Sequence, residues 1–481
     1  MSPARVGGHS QRPSDTVRPV TTPRRVAASD KVHNGRTLRG LAASPLAWCC
    51  TLVALEAIVI LVGLDVDNAR ILGGDGPTYS RLAHNLLSHG AYSLQASAPF
   101  TPTVSEPPGY PVVLAILDFV AIHLSIGQLL TVRICQFAMV AATACLVYAI
   151  GRELDDEFTA RVAGLLTASY LPLLGLAGYH LTEITTCLLC TLVVLLLVRL
   201  LRRPSGSLVS VCGLGLAISA ATYVRPDFTP LVVIAAAALL LAGKGSFRSH
   251  ERWLRPGIVV GIFVLTVVPW TIRNYDLTQH LIPVAVDSGG SLFVSAEQYA
   301  GTVSYAMNPT DFDTINRLAS RITATVHGKP GPKQEVAVDA ALTRAAKRIF
   351  DRLSFTTIVK SIPKREIYLW QPIVFPPAKG RAVINALGWA QYLVLVVLAL
   401  IGAAVSRRRH TLLRDWPLWM LAVYLTLLHL VFHIEGRYSV EARPVLLVFA
   451  AIGGVALWRK IRSRMAPAFA EVSETRPAEA G

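Results

Sequence analysis

Acidic residues that could perform group-transfer chemistry lie in a polar stretch, residues 65–111, between long apolar runs. Its centre is GGDGPTYSRLAHNLLSHG at 73–90, followed by EPPGYP at 106–111. A carboxylate within hydrogen-bond reach of an acceptor hydroxyl can take its proton as a general base. We therefore predict that Asp75, in the glycine-rich turn, is a catalytic base at a membrane surface.

Further acids, bases and aromatic residues recur at the ends of apolar runs that are far apart in the chain. They are Glu106, Arg133, His180, Glu183, Arg225, Asp227, Arg273, Asn274, Glu435, Arg437, Tyr438 and Arg443. Arginine donates fork-shaped, charge-assisted hydrogen bonds to phosphate oxygens. Carboxylates and arginines together at a lipid–water boundary suit a substrate with an anionic head and an apolar tail. Sugar transfer from a polyprenyl phosphate fits this set, because cations stabilise the departing phosphate.

The elements that must position these residues are membrane helices. The chain has 481 residues, of which 53% are hydrophobic and only 16% charged, whereas about 25% are charged in an ordinary soluble protein. Apolar runs of about 18 residues or more satisfy their backbone groups in hydrocarbon as helices. The net charge of +16 comes from Arg and Lys clusters beside these runs, which orient helices. We therefore predict the lipid bilayer as a partner and no nucleic-acid partner.

Basic clusters also predict the side of each loop, because cytoplasmic loops carry more Arg and Lys. The predicted cytoplasmic loops are 151–161, 199–206, 244–256, 406–415 and the tail from 459. The predicted external segments are 65–128, 178–183, 223–228, 274–382 and 433–443. The spans between them are 46–64, 129–150, 160–177, 184–200, 207–222, 229–243, 257–273, 383–405, 416–432 and 444–458, about ten helices with both termini inside.

The apolar run 111–126 is an exception to this pattern. It has only 16 residues, contains Asp118 and His123, and would place the Arg-rich loops outside if it crossed the membrane. We predict an interfacial or re-entrant helix here. In the second large external segment, turn-forming residues predict an irregular loop over 275–335, and apolar residues at helical spacing predict an amphipathic helix over 336–353.

The domain organisation follows from these spans. We predict a disordered basic cytoplasmic tail at 1–45, a transmembrane module at 46–273 that includes the external loop 65–128, an external loop with an amphipathic helix at 274–382, C-terminal transmembrane helices at 383–458 and a cytoplasmic tail at 459–481. All seven cysteines lie in or beside apolar segments, so the aqueous loops offer no pair for a disulfide.

Several motifs in order carry a family resemblance. They are D-GPTY-SRLAHNLLSHGAYS, PPGYP, an Arg opening the second span, TE at the start of the fourth, RP after the fifth, PWTIRN closing the seventh and RYSVEARP late in the chain. Over residues 46–458 the chain resembles the bacterial branch of the GT-C glycosyltransferases, which includes relatives of protein O-mannosyltransferases and the lipid A aminoarabinose transferase. The resemblance implies an all-α polytopic GT-C fold in the inner (plasma) membrane, with its active site on the extracytoplasmic face.

The resemblance also implies roles for individual residues. Asp75 matches the essential acid of the first external loop and Glu183 the second acid, which helps to hold the sugar or the acceptor. Tyr79, Glu106 and Tyr110 are assigned to substrate binding, and the donor phosphate is assigned to Arg133, Arg225, Arg273 and Arg437. The donor is a polyprenyl-phosphate hexose or pentose, and the acceptor hydroxyl belongs to a protein, a lipid or a glycan. Gly76 follows Asp75 directly, so no acidic metal pair is assigned and a divalent cation stays open.

Structural roles remain as alternatives for most of these residues. Asp75 could cap a helix over 77–88 and Glu183 could cap its own helix. Interfacial anchoring is the alternative for Arg133, Arg225 and Arg273. The motif PPGYP could serve mainly as a rigid entry into the interfacial helix. At the level of the whole protein, the alternatives are a transporter or flippase for a lipid-linked or polar substrate and a non-enzymatic membrane scaffold.

Overall fold

The computed structural model of the chain describes residues 44–63, 75–203, 207–243, 250–372, 382–409, 411–412 and 414–474. Every regular element in this part of the chain is a helix, so the all-α prediction is confirmed. The tail predicted at 1–45 lies outside the described residues except for its last two positions.

The α-helices follow one another with short connections. They are Pro45–Gly63 (α1), Gly76–His89 (α2), Gly109–Leu124 (α3), Gln128–Leu154 (α4), Glu157–Ala168 (α5), Leu171–Leu176 (α6), Glu183–Arg202 (α7), Leu208–Val224 (α8), Leu231–Ala242 (α9), His250–Thr278 (α10), Ser288–Ala300 (α11), Pro309–Thr323 (α12), Pro332–Phe350 (α13), Phe355–Trp370 (α14), Ala382–Arg408 (α15), Trp416–His429 (α16) and Arg443–Glu474 (α17). Two 3-10 helices, Pro226–Phe228 and Gly436–Ala442, precede α9 and α17.

Membrane-spanning candidates lie where the sequence predicts most of its spans. Five are long and apolar enough to cross a membrane: Gln128–Leu154, Glu183–Arg202, Arg252–Thr278, Asn385–Arg408 and Gly436–Met465. Shorter apolar helices are Ala47–Ile58, Gly109–Leu124, Leu208–Val224, Pro226–Ala242 and Trp416–His429. The chain is therefore an all-α polytopic membrane protein. Five of the ten predicted spans are helices that are long and apolar enough to cross a membrane.

The predicted span 160–177 is divided into two helices, α5 and α6. Pro172 is the second residue of α6, so it has no amide hydrogen to donate to the carbonyl of Ala168, four residues earlier, and its ring crowds that carbonyl. The side chain of Gln391 in α15 satisfies the interrupted backbone: it donates to the Ser169 carbonyl at 2.6 Å and accepts from the Leu171 amide at 2.9 Å. A neighbouring helix thus supplies the hydrogen bonds that a broken membrane helix loses.

Where the sequence predicts an interfacial or re-entrant helix over 111–126, the structure has the helix α3. One of its faces exposes apolar side chains at helical spacing, namely Val112, Ile116, Phe119 and Ile122. The opposite face packs on α2, α4 and α8. At its first residue, Gly109, a Cβ atom would lie 2.6 Å from the backbone of Tyr223 in α8, so only glycine permits this approach. The helix thus presents one face to its surroundings and anchors the other in the bundle.

The prediction of an irregular loop over 275–335 is wrong. This segment contains α11, α12 and the start of α13. The residues that suggested turns are helix-start signals: Asn308 forms a capping box with Asp311 at the start of α12, and Pro332 occupies the first position of α13, where its missing amide hydrogen costs nothing. The amphipathic helix predicted over 336–353 is confirmed as part of α13, which buries Ala341 and other small residues.

Ion pairs bring together most of the loops that the sequence predicts as cytoplasmic. Arg199 and Arg203 at the end of α7 lie 3.2 and 3.0 Å from Glu153 at the end of α4. Arg202 lies 3.0 Å from Asp415, before α16, and Arg409 pairs with Asp155. These loops therefore share one end of the helix bundle. The predicted C-terminal tail from 459 begins within α17, which continues to Glu474.

Candidate active site

A cleft with a volume of about 200 Å³ gathers residues from segments that are far apart in the chain. Six residues that the sequence assigns to the site line it: Asp75, Tyr79, Glu106, Glu183, Arg225 and Arg437. They come from the starts of α2 and α7, the loop before α3, the end of α8 and the 3-10 helix before α17. The fold therefore brings together the residues whose polar side chains recur at helix ends.

Asp75 occupies the N-cap position of α2, but its side chain makes no capping hydrogen bond. Its carboxylate instead accepts from the Arg437 guanidinium at 3.3 Å, and 53% of the side chain is exposed. The capping alternative therefore does not account for this carboxylate, which lies in the cleft and is open to water and to a ligand.

Arg437 contacts three carboxylates at once. Its Nε atom lies 2.7 Å from Glu435, and its two terminal nitrogens lie 3.1 Å from Glu183 and 3.3 Å from Asp75. Glu183 is 1% exposed, and neither of its oxygens is aligned for a hydrogen bond. The ion pair with Arg437 is thus one of charge alone, and both buried oxygens keep their capacity to accept hydrogen bonds.

Arg225 is the second cation of the cleft. It lies 2.9 Å from the fully buried Glu441 and 3.1 Å from Asp227. Although burial opposes it, these carboxylates hold the pKa of Arg225 above its ordinary value, so the guanidinium stays charged. The Tyr438 ring lies between the two cations, 4.7 Å from the Arg225 guanidinium and 5.2 Å from that of Arg437. Aromatic faces attract cations, so this ring helps to hold both in place.

Glu106 reaches the cleft because residues of the segment between α10 and α14 fix the loop before α3. Glu335 of α13 accepts from the Val104 amide at 2.7 Å and from the Thr103 hydroxyl at 2.8 Å. The Val286 amide donates to the Val104 carbonyl at 2.9 Å. This backbone hydrogen bond adjoins Asp287, so Glu106 and Asp287 come to line the same cleft.

These two carboxyl groups have strongly raised pKa values. Burial, and then the charge of Asp287, raises the pKa of Glu106 to about 8. Desolvation within the cleft, and then the charges of Asp75 and Asp227, raises the pKa of Asp287 to about 8. The Asp287 side chain is nevertheless open to cleft water, and screening by this water reduces the rise in its pKa. The raised pKa of Glu106 is therefore the better supported of the two. Near neutral pH the carboxyl group of Glu106 is mainly protonated, which lowers the negative charge of the cleft.

Three residues that the sequence assigns to the site do not line the cleft. Arg133 donates to the Gly178 carbonyl at 3.4 Å. Arg273 donates to the Thr103 carbonyl at 3.1 Å, with its guanidinium 4.3 Å from the Trp270 ring. The structure places Arg273 against the loop between α2 and α3, where it holds the part of the loop that precedes Glu106.

Tyr110 is the third assigned residue that does not line the cleft. It is 1% exposed, its ring packs edge-on against Tyr79 at 5.3 Å, and its hydroxyl has no hydrogen-bond partner in the described residues. Its position is therefore behind the cleft wall, where it supports Tyr79.

Sequence reasoning missed several lining residues. Asp287 and Ser291 belong to the run DSGGS, which looked like a turn and instead begins α11. His433 links two of these elements, because its ring nitrogens lie 2.7 Å from the Ser291 hydroxyl and 2.8 Å from the Tyr438 hydroxyl. Asp227 and Tyr438 were recognised as polar groups at helix ends but received no role. In the sequence, the position of Asp287 directly before a glycine-containing helix start could have indicated this residue.

The described residues include no group of three or more His, Cys, Asp or Glu side chains that is arranged to hold a metal ion. Asp75 and Glu183 instead pair with Arg437, and Asp227 pairs with Arg225.

An apolar groove with a volume of about 580 Å³ runs between α15, α16 and α17. Its walls include Trp370, Leu395, Ala422 and Leu446, and Arg443 lies at its edge. Arg443 begins α17 directly after the 3-10 helix that carries Arg437. A residue at the edge of the groove therefore follows directly, in the chain, the short helix that carries Arg437 into the cleft.

Comparison with known proteins supports a glycosyltransferase fold. Residues 105–270 match the model of the family "dolichyl-phosphate-mannose-protein mannosyltransferase". A search of curated protein sequences found no match. The fold resembles the archaeal oligosaccharyltransferase AglB of Archaeoglobus fulgidus in complex with an inhibitory peptide and a dolichol-phosphate, with a TM-score of 0.52, 15% identity and coverage of 91% of this chain and 52% of that one.

Two further structures are similar. The apo form of the same oligosaccharyltransferase matches with a TM-score of 0.50 at 15% identity, over 88% of this chain and 52% of that one. ArnT from Cupriavidus metallidurans bound to undecaprenyl phosphate matches with a TM-score of only 0.36 at 16% identity, over 91% and 82% of the two chains. The chain spans about half the length of the oligosaccharyltransferase that it matches. The recognition of a GT-C glycosyltransferase relative is thus confirmed by the family model and by the shared fold.

Proposed function

We propose that the protein transfers a sugar from a polyprenyl-phosphate donor to an acceptor hydroxyl, by single displacement with inversion at the anomeric carbon. The observation that supports this most directly is the Asp75 carboxylate, which is half exposed and lies 3.3 Å from the Arg437 guanidinium in one cleft. The reaction needs a general base and a cation for the departing phosphate. Asp75 and Arg437 supply these two groups side by side.

The donor phosphate binds to Arg437, with Arg225 as the second cation. Because carboxylates already neutralise both arginines, the phosphate must displace one of them. Asp75 is the partner that yields, since its side chain is 53% exposed and its contact is the longest of the three, whereas Glu183 is buried. An exposed ion pair contributes about 1 kcal/mol or less. Donor binding thus frees the Asp75 carboxylate for catalysis.

In the chemical step, the acceptor oxygen forms a bond to the anomeric carbon while its proton passes to Asp75. The bond between the anomeric carbon and the phosphate oxygen breaks, and its electron pair stays on the phosphate, which the two arginines stabilise. A positioned general base contributes about 10²–10⁴-fold to the rate. Proton, sugar and leaving group are all accounted for by residues of the cleft.

Glu183 and Tyr79 bind the sugar or the acceptor. The two Glu183 oxygens are buried and have no aligned hydrogen-bond donor among the described residues, so sugar hydroxyl groups that donate to them offset the cost of their burial. Tyr79 lines the same cleft, and its ring and hydroxyl suit contact with a sugar. Tyr110 supports Tyr79 from behind.

The prenyl chain lies in the apolar groove between α15, α16 and α17. The groove is almost entirely apolar, and Arg443 at its edge directly follows the 3-10 helix Gly436–Ala442 that carries Arg437. An isoprenoid chain buries its hydrocarbon surface there, worth about 25 cal/mol per Å², while its phosphate reaches the arginines.

The cleft opens on the extracytoplasmic face of the inner membrane, because the Arg-rich loops lie at the other end of the bundle. Single cysteines at two exposed positions test this. Ser97→Cys, in the first external loop, should react with a membrane-impermeant maleimide in intact cells, and Ser207→Cys, before α8, should react only after lysis. The reverse pattern would contradict the proposed side.

The activity is tested by incubating purified protein with a panel of polyprenyl-phosphate hexoses and pentoses and with protein, lipid and glycan acceptors from membranes. We expect one donor to be consumed, with release of polyprenyl phosphate and a mass gain of one sugar on one acceptor class. Arg437→Gln should weaken donor binding at least tenfold. Translocation of donor across vesicles without sugar transfer would instead support a flippase and overturn the proposal.

A further inference from the structure

A second cavity, separate from the cleft, lies between α2, α3 and the start of α4. Its volume is about 350 Å³ and its walls include His84, Ser88, Asp118, Ile122, Ile126 and Gln128. None of its lining residues lines the catalytic cleft. Volumes of this size accommodate small ligands and head groups.

The unusual residue of this cavity is Asp118, on the mainly apolar helix α3. It is 5% exposed, and its Oδ1 atom is buried without a hydrogen-bond partner in the described part of the chain. Gln128 and the titratable His84 lie with it in the cavity wall. The cavity walls contain no Arg or Lys. A carboxylate in such a place is costly unless a donor or a cation pairs with it.

The surroundings indicate what supplies that partner. The outer face of α3 is apolar, with Phe119 and Ile122 at least half exposed, and Ile122 and Ile126 also border the cavity. A ligand that enters here from an interfacial helix therefore has an apolar part beside these side chains and a hydrogen-bond-donating cation at Asp118. Exposed Ser88 and His84 can face its more polar remainder.

We propose that this cavity binds the head group of a membrane lipid that carries a primary ammonium, as phosphatidylethanolamine does. The ammonium N–H groups donate to Oδ1 of Asp118, the phosphate lies towards His84 and Ser88, and the acyl chains cover the exposed stripe of α3. A quaternary ammonium has no N–H group to donate, so a choline head group is a poor ligand. This site is independent of the proposed glycosyl transfer.

The test is lipid retention measured by native mass spectrometry on delipidated protein in detergent. The probes are phosphatidylethanolamine, phosphatidylcholine and phosphatidylglycerol with identical acyl chains, and soluble glycerophosphoethanolamine. We expect phosphatidylethanolamine to be retained about tenfold more than either other lipid, as suits one charge-assisted hydrogen bond. The soluble head group should bind far more weakly than the lipid.

Variants tie the retention to the cavity. Asp118→Asn should abolish the preference, and Ser88→Trp, a change at an exposed position that fills the cavity, should do the same; if Asp118→Asn does not fold, Ser88→Trp decides alone. The control Asp351→Asn, which removes an exposed acid after α13, should keep the preference. Equal retention of the three lipids by the unmodified protein, a preference that survives Ser88→Trp, or equally tight binding of the soluble head group would overturn the proposal.

Discussion

Donor binding should weaken as the pH rises from 7 to 9, because the cleft gains negative charge over this range. With a pKa of about 8, Glu106 is about one-tenth ionised at pH 7 and about nine-tenths ionised at pH 9. The donor is a phosphodiester with one negative charge throughout. Since a carboxyl group with a raised pKa is neutral below that pKa and anionic above it, an anion binds better on the acid side.

The magnitude follows from the size of the cleft. Across a separation of about 8 Å at an effective dielectric constant of about 20, two unit charges repel by about 2 kcal/mol, which corresponds to about thirtyfold in affinity. Cleft water reduces this figure, so we expect about a tenfold loss from Glu106. Ionisation of Asp287 contributes less to the loss of donor affinity, because its side chain is more exposed and more strongly screened.

The assay is calorimetric titration of the protein in nanodiscs with a phosphonate analogue of the donor that cannot react and keeps one negative charge. Glu106→Gln should bind with nearly the same Kd at pH 7 and pH 9, and the double change with Asp287→Asn should remove what dependence remains. The exposed control Asp313→Asn should behave like the unmodified protein. An equal Kd at both pH values in the unmodified protein, or an unchanged pH dependence in the double variant, would refute the reasoning.

Two further predictions concern the groove and the buried support of the site. Ala422→Trp fills the apolar groove and should raise the KM for a long-chain donor about tenfold, as expected for lost apolar burial, whereas Leu265→Trp on the exposed face of α10 should leave it unchanged. Arg365→Met removes a fully buried guanidinium that donates to the carbonyls of His429 and Phe432 at 2.9 and 2.7 Å. Thermal unfolding should show that the free energy of unfolding falls by about 2–4 kcal/mol. An unchanged Tm would contradict a stabilising role for this guanidinium.

Membrane helices and the grouping of loops at two ends of the bundle could be predicted from the sequence, because apolar runs and Arg clusters are local signals. The ion-pair partner of Asp75 could not be predicted from the sequence. Arg437 is 362 positions away, and nothing in a single sequence specifies which of several arginines pairs with a given acid. The helical bundle determines that choice by bringing the starts of α2 and α7 to the same 3-10 helix.

The error over residues 275–335 has a different cause. Glycine, proline, asparagine and aspartate are common both in turns and at helix starts, and the run DSGGS is read in either way. Asp287 was therefore overlooked, although it lies beside the backbone hydrogen bond between Val286 and Val104. That hydrogen bond joins two segments about 180 positions apart, so tertiary structure decides the role of both.

Substitution of Asp75 by asparagine tests the central claim most directly, with turnover and donor affinity measured on the same purified sample. We predict that kcat falls about 10²–10⁴-fold. Because Asp75 competes with the phosphate for Arg437, the Kd of the donor should at the same time fall by up to about fivefold. Full turnover after the substitution, or a loss of donor binding in a folded variant, would contradict the account.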